Sequence, residues 1–153
     1  MASPSAVRRI LLATGFLVLV QAGVGLVVNL YVLYPAHYPG TRAGSYLIRA
    51  YEGFAWSVGH GTFALAVHST LGLALVLLSI VAAVRAVMLR HRAVAFWTVL
   101  GTLLVLGAAV NGGSFLADGK ILNSLLMALL ALSAEVCFQL AIHLLPSGRH
   151  PVR

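Results

Sequence analysis

The chain has 153 residues, of which 61% are hydrophobic and 8% charged, against roughly 25% charged in an ordinary soluble domain. A soluble fold of this length has no room to bury so much apolar surface, so that class is excluded. The net charge of +7 is confined to the ends and to the connections between apolar runs, which fits membrane-orientation signals beside anionic lipid and gives no support to a nucleic-acid partner.

Four apolar runs, at about 10–34, 58–88, 93–117 and 121–145, each reach the roughly 20 residues that a helix needs to cross a bilayer. They are unbroken, rich in Leu and Ala, and lack the ten-residue alternation of an outer-membrane barrel. Residues 1–7 read as a short tail. The first run follows Arg8 and Arg9 and continues without a small-residue cleavage site, so it reads as a retained signal anchor. The loop at about 35–57 begins with Pro35 and Pro39-Gly40 and then carries Tyr46, Leu47, Ile48, Tyr51, Phe54 and Trp56. That mixture predicts a turn and then an amphipathic segment in the membrane interface, forming a lid over one end of a bundle. Arg90-His91-Arg92 and Ala117-Asp118-Gly119-Lys120 are short connections, which make the helices they join antiparallel neighbours. Pro146 ends the last run before a basic tail with His150.

Arg8, Arg9, Arg85, Arg90, Arg92, Arg149 and Arg153 fall on one side of such an arrangement. Arg42, Arg49 and Lys120, offset by Glu52 and Asp118, fall on the other. The expected fold is therefore all-α: one integral membrane domain over 1–153, an up-down-up-down four-helix transmembrane bundle in the plasma membrane. Both termini are expected in the cytoplasm. Cys137 is the single cysteine, which excludes an internal disulfide and a cysteine metal site.

Polar residues within lipid-facing helices should turn inward, and spacings of four and eight keep them near one face. Gln21, Gly25 and Asn29 form one such stripe, and His60, Ala64, His68 and Gly72 a second. Gly107, Asn111 and Ser114 form a third, and Asn123, Met127, Ala131, Glu135 and Gln139 a fourth. Counting depth at 1.5 Å per residue separates two layers. Asn29, His60, Asn111, Ser114 and Asn123 form an outer layer above the deeper His68 and Met127. Gln21, Glu135 and Gln139 form an acid layer toward the cytoplasm. Glu135 is the one acid within a run, costly when ionised unless paired or wetted, and Gln21 is its expected partner. Asn111-Gly112-Gly113-Ser114 permits a kink or a close backbone approach. Such stripes also serve plain helix packing with hydrogen bonds between helices.

The segment His68-Ser69-Thr70-Leu71-Gly72-Leu73 resembles the histidine-bearing helices of b-type membrane cytochromes, of the cytochrome b561 class and of each half of haem A synthase. That resemblance implies haem b ligated through His68; since no second histidine faces His68 at equal depth, the alternatives are Met127 as an unusual partner, single ligation, or ligation shared across a dimer. The whole chain, with Val28-Asn29-Leu30-Tyr31, His60 and His68, Asn111-Gly112-Gly113-Ser114 and Asn123-Ser124, is more similar to a small bacterial four-span family, a resemblance that implies no mechanism.

Three functions follow as expectations. The first is a membrane binding or accessory protein whose layer of His60, His68, Asn29 and Asn111 holds a small ligand or steadies a partner. The second is electron transfer by haem at His68. The third is a proton or ion pathway through Gln21 and Glu135. A homo-oligomer or a membrane-complex partner accords with small-residue faces such as Gly101 and Ala108 on the third run. The chain carries no phosphate loop, nucleophile elbow or HExxH, so no classical enzyme class is implied.

Overall fold

A computed structural model describes residues 3–35, 37–42 and 44–146; the basic tail with His150 lies outside them. The described residues form five α-helices and one 3-10 turn: α1 (Pro4–Tyr31), the turn Pro39–Thr41, α2 (Tyr46–Gly59), α3 (Phe63–Met88), α4 (Arg92–Asp118) and α5 (Ile121–His143). Helices α1, α3, α4 and α5, at 28, 26, 27 and 23 residues, are all long and apolar enough to cross a membrane. At 1.5 Å per residue they run from about 35 to 42 Å, against about 30 Å of hydrocarbon.

Local chemistry explains most boundaries. Ser3 caps α1 by accepting from the Ala6 N–H at 3.2 Å, with Pro4 opening the helix. The sequence-expected tail at 1–7 is therefore helical from Pro4, and Val7 is buried in the core. Thr62 caps α3, and His91 Nδ1 accepts from the Val94 N–H at 3.4 Å to start α4. Gly119, at φ 68°, ends α4 in the left-handed conformation that glycine adopts without a Cβ penalty. The second apolar run was expected from about 58, but its spanning helix starts at Phe63. Residues 58 and 59 finish α2, and Gly61 and Thr62 make the turn between the two helices.

Helix α1 packs against α3 and α5, α3 against α4, and α4 against α5, so the four long helices close a ring with α2 on one end. The ring buries apolar side chains such as Phe138, Leu11 and Val18 together with several hydroxyls, and large apolar residues also cover its outside. Thr14, Ser79 and Thr98 have no exposed surface, while Phe16 is 69% and Leu30 67% exposed. Buried hydroxyls are satisfied by helix carbonyls: Thr14 donates to Ile10 O and Thr98 to Val94 O, each at 2.8 Å. Thr102 Oγ1 donates across the α3–α4 contact to Ser79 O at 2.9 Å. Phe138 fills the centre, with Gly101 flat against its ring. Small interfacial residues, satisfied backbone and an apolar exterior suit an environment without water.

Candidate functional site

The core that includes Val7, Leu11, Val18, Leu75, Val94, Val105 and Phe138 is well filled. Near the end covered by α2 the ring opens into a cavity with two lobes, of about 370 Å³ and about 390 Å³. Gln21, Gly25, Asn29, His68, Gly72, Ala109, Ser124 and Met127 line both lobes, so the lobes are continuous. Space exists here because the facing positions are small: Gly25 on α1, Gly72 on α3, and Ala109 and Gly112 on α4. Volumes of this order, mostly apolar with a few convergent polar groups, characterise small-molecule sites.

The polar centre of the cavity is a pair. Gln21 Nε2 donates to the backbone carbonyl of His68 at 3.0 Å and lies 3.4 Å from His68 Nε2. Gly72, one turn further along α3, faces the Gln21 amide, and Gly25 faces the Cε1 edge of the His68 ring. Gln21 Oε1 and His68 Nδ1 are buried and have no hydrogen-bond partner. Buried polar groups in folded proteins are overwhelmingly satisfied, so unpartnered polar atoms on two residues that line the same cavity mark Gln21 and His68 as its candidate binding pair.

Several sequence expectations are rearranged. Gln21 was expected to pair with Glu135 but bonds to His68. Glu135 instead accepts from Gln139 Nε2 at 2.6 Å, one turn along its own helix, and its carboxyl group lies against Gly15 on α1. The acid layer thus divides, with Gln21 in the cavity and Glu135 and Gln139 on the α1–α5 contact outside it. His60 is not on the spanning helix: it is exposed, ends α2, and donates its N–H to Trp56 O at 2.7 Å. It does not line either lobe.

The expected Asn/Ser cluster also separates. Asn29 reaches the cavity, where its Oδ1 accepts from Ser124 Oγ at 3.4 Å. Asn111 turns back to Gly107 O on its own helix at 2.9 Å, and Ser114 Oγ lies 3.3 Å from Tyr46 Oη under α2. Asn123 is half-buried and does not line the cavity; its neighbour Ser124 does. The sequence pattern brought Asn29, His68 and Met127 into one site, with Gln21 added from the layer below.

The segment 38–59 closes the cavity from one end. Phe54 from α2 and Tyr34 from the preceding loop line the first lobe. Tyr38 donates to Phe115 O at 3.1 Å and Tyr46 to Val110 O at 2.9 Å, while Arg49 pairs with Asp118 at 3.0 Å. Ser57 donates to Ser69 Oγ at 2.8 Å, tying the far end of α2 to α3. Tyr34 stacks edge-on against Phe115, with ring centroids 4.9 Å apart. Burial, reinforced by Tyr38, pushes the Tyr34 phenol up to about 12. Burial, and then the Asp118 carboxylate, also raises Tyr38. Both phenols are therefore neutral across the physiological range. Sequence reasoning anticipated an amphipathic lid but not these carbonyl anchors, because Tyr-to-backbone bonds leave no spacing pattern.

Among the described residues no group of three or more His, Cys, Asp or Glu gathers to hold a metal ion. In comparisons with known proteins, the chain matches no family model, no curated protein and no solved structure.

Proposed function

We propose that the protein is an integral membrane binding protein whose cavity holds a small, largely apolar molecule by a polar group at Gln21 and His68. The observation that carries this reading is the pair Gln21 and His68, each with an unpartnered polar atom, among the residues that line a largely apolar cavity. A bound group that completes those two hydrogen bonds relieves a desolvation penalty of about 1–3 kcal/mol for each unsatisfied group. Supporting the membrane assignment are the four long apolar helices and the many large apolar side chains on their outer surface. The antiparallel crossing of successive spans is supported by contacts that join the C-terminal half of α1 to the N-terminal parts of α3 and α5: Gln21 with His68, and Asn29 with Ser124. The positive-inside rule then favours a plasma-membrane orientation with both termini cytoplasmic.

Native mass spectrometry of the protein released from mild detergent tests the binding reading. The expected result is a retained small molecule that is lost in Ala109→Phe, which intrudes on both lobes. A wild-type protein that is empty after extraction from its native membrane and after incubation with total lipid extract overturns it.

A second reading, a b-type haem protein, is favoured by one observation: His68 on α3 and Met127 on α5, helices on opposite sides of the ring, line the same cavity. His68 and Met127 would hold the iron, and the haem would supply one-electron chemistry. Against it stands Gln21 Nε2, 3.4 Å from His68 Nε2, which must turn aside before that nitrogen can ligate iron. A Soret band and a reduced-minus-oxidised α band in protein from haem-replete cells establish this reading, and their absence removes it.

A further inference from the structure

The cavity is not sealed on all sides. Helices α1 and α5 touch toward one end where the Glu135 carboxyl and the Gln139 amide lie against Gly15. They touch again toward the other end, where Ser124 bonds Asn29. Between these two contacts the seam is lined by Ala22 and Leu26 on α1 and by Ala128 and Leu132 on α5, all four of which also line the second lobe. Leu26 is 61% and Leu132 52% exposed, so these side chains border both the cavity and the outer surface of the bundle. The two contacts on α1 are about 21 Å apart at 1.5 Å per residue, which sets the opening within the roughly 30 Å of hydrocarbon. The other approach, from the end of the bundle, passes α2, which is anchored to Val110, Asp118 and Ser69.

The polar pair also defines what can be held. Only the amide nitrogen of Gln21 can donate to the His68 carbonyl, which fixes the orientation of the side chain and leaves Oε1 as the free acceptor. Its second N–H points to His68 Nε2 at 3.4 Å. That makes Nε2 the acceptor and places the ring proton on the orphaned Nδ1. The pair therefore offers one donor and one acceptor, Asn29 and Ser124 add neutral polar groups, and the residues that line the cavity include no Lys, Arg, Asp or Glu. A neutral hydroxyl, which both donates and accepts, satisfies the two together. A carboxylate lacks the donor and has no cation to meet.

Resting on the binding reading above, we propose that the cavity takes a hydroxyl-bearing lipophile, such as a long-chain alcohol or an alkylphenol, directly from the bilayer through the seam between α1 and α5. The lipophile's hydroxyl lies between Gln21 Oε1 and His68 Nδ1, and its apolar body extends along the second lobe toward the seam.

The test uses a dodecanol bearing a diazirine, with the full chain in phosphatidylcholine nanodiscs irradiated after increasing mixing times. Saturable labelling is expected, competed by 1-dodecanol at least tenfold better than by its methyl ether and lost in Gln21→Leu. Ala128→Phe, and independently Ala22→Leu from the opposite wall, should slow the approach to saturation tenfold or more; both residues line the second lobe, so the rate and not the final extent is the readout. Asp118→Asn, which frees one anchor of α2, should leave the rate unchanged. Labelling that is saturable but indifferent to both seam variants and faster in Asp118→Asn overturns the lateral route and leaves the binding reading standing. Equal competition by alcohol and ether overturns the hydroxyl assignment. Labelling that never saturates in the wild-type protein defeats the binding reading itself.

Discussion

The smallest units that hold this bundle together are single polar side chains whose partners are carbonyl groups. Thr102 shows how much one is worth. Its hydroxyl joins α4 to α3 through Ser79 O, while also donating toward Thr98 O at 3.0 Å. Hydrogen bonds between helices in a membrane average about 0.6 kcal/mol. Thr102→Val keeps the shape and removes the donor, so its expected cost is about 0.6 kcal/mol, measurable by reversible unfolding in mixed micelles; a neutral result would mean that Ser79 O finds another donor. Tyr34 provides a second test. Its phenol ionises at about 12 instead of the ordinary 10.0, so the folded state holds the proton more tightly than the unfolded chain. The stability this contributes is complete below pH 10 and is lost as pH rises from there through 12. Ultraviolet titration of the five tyrosines should show a late component that loses one phenol in Tyr34→Phe, the raised Tyr38 remaining. At this scale the sequence was informative about direction and less so about pairing. The four-residue spacing of Gln21, Gly25 and Asn29 placed all three beside the cavity, although Asn29 stays exposed and the buried face of α1 is formed by Leu11, Val18 and Val28. It could not say whether Gln21 would meet α3 or α5, because both neighbours offered a polar residue and depth counted from assumed boundaries carries an error of a turn.

The same uncertainty at element scale explains His60. The apolar run from 58 to 88 contains no strong breaker except Gly59 and Gly61, so hydropathy joins it into one span. In the folded chain Thr62 caps a new helix after those glycines, and His60 falls outside the span. Aromatic-rich amphipathic character was enough to predict that residues after 45 form an interfacial segment. The depth of its docking was not legible, since that depends on a close backbone approach. Gly40 lies against the carbonyl of Leu116, where a Cβ would collide with backbone that cannot move aside, and Gly53 meets the Leu116 side chain. Gly40→Ala is therefore expected to lift the 38–59 segment at a cost of about 1–3 kcal/mol. Hydrogen exchange should become faster throughout α2 while the amides of α3 to α5 keep their protection. Equal loosening of the spanning helices would mean that the lid supports the ring as well as covering it.

At the scale of the whole molecule, function and orientation are joined by the position of the cavity. Arg8, Arg9, Arg85, Arg90 and Arg92 lie at the helix ends opposite α2, whereas Arg42, Arg49 and Lys120 share the α2 end with Glu52 and Asp118. The positive-inside rule counts Lys and Arg near the ends of spans, and five against three favours a cytoplasmic arginine face with α2 and the cavity in the outer leaflet. Cysteine labelling decides this in intact cells, on a Cys137→Ser background that removes the single native thiol. Ser45→Cys, at the exposed start of α2, should react with a membrane-impermeant maleimide without disruption of the cells. Ser5→Cys, exposed in the first turn of α1, should react only after permeabilisation. The reverse pattern would set the cavity in the inner leaflet and direct the search for its ligand to lipophiles on the cytoplasmic side. Reaction of both sites in intact cells would contradict the alternating crossing on which the bundle's orientation depends.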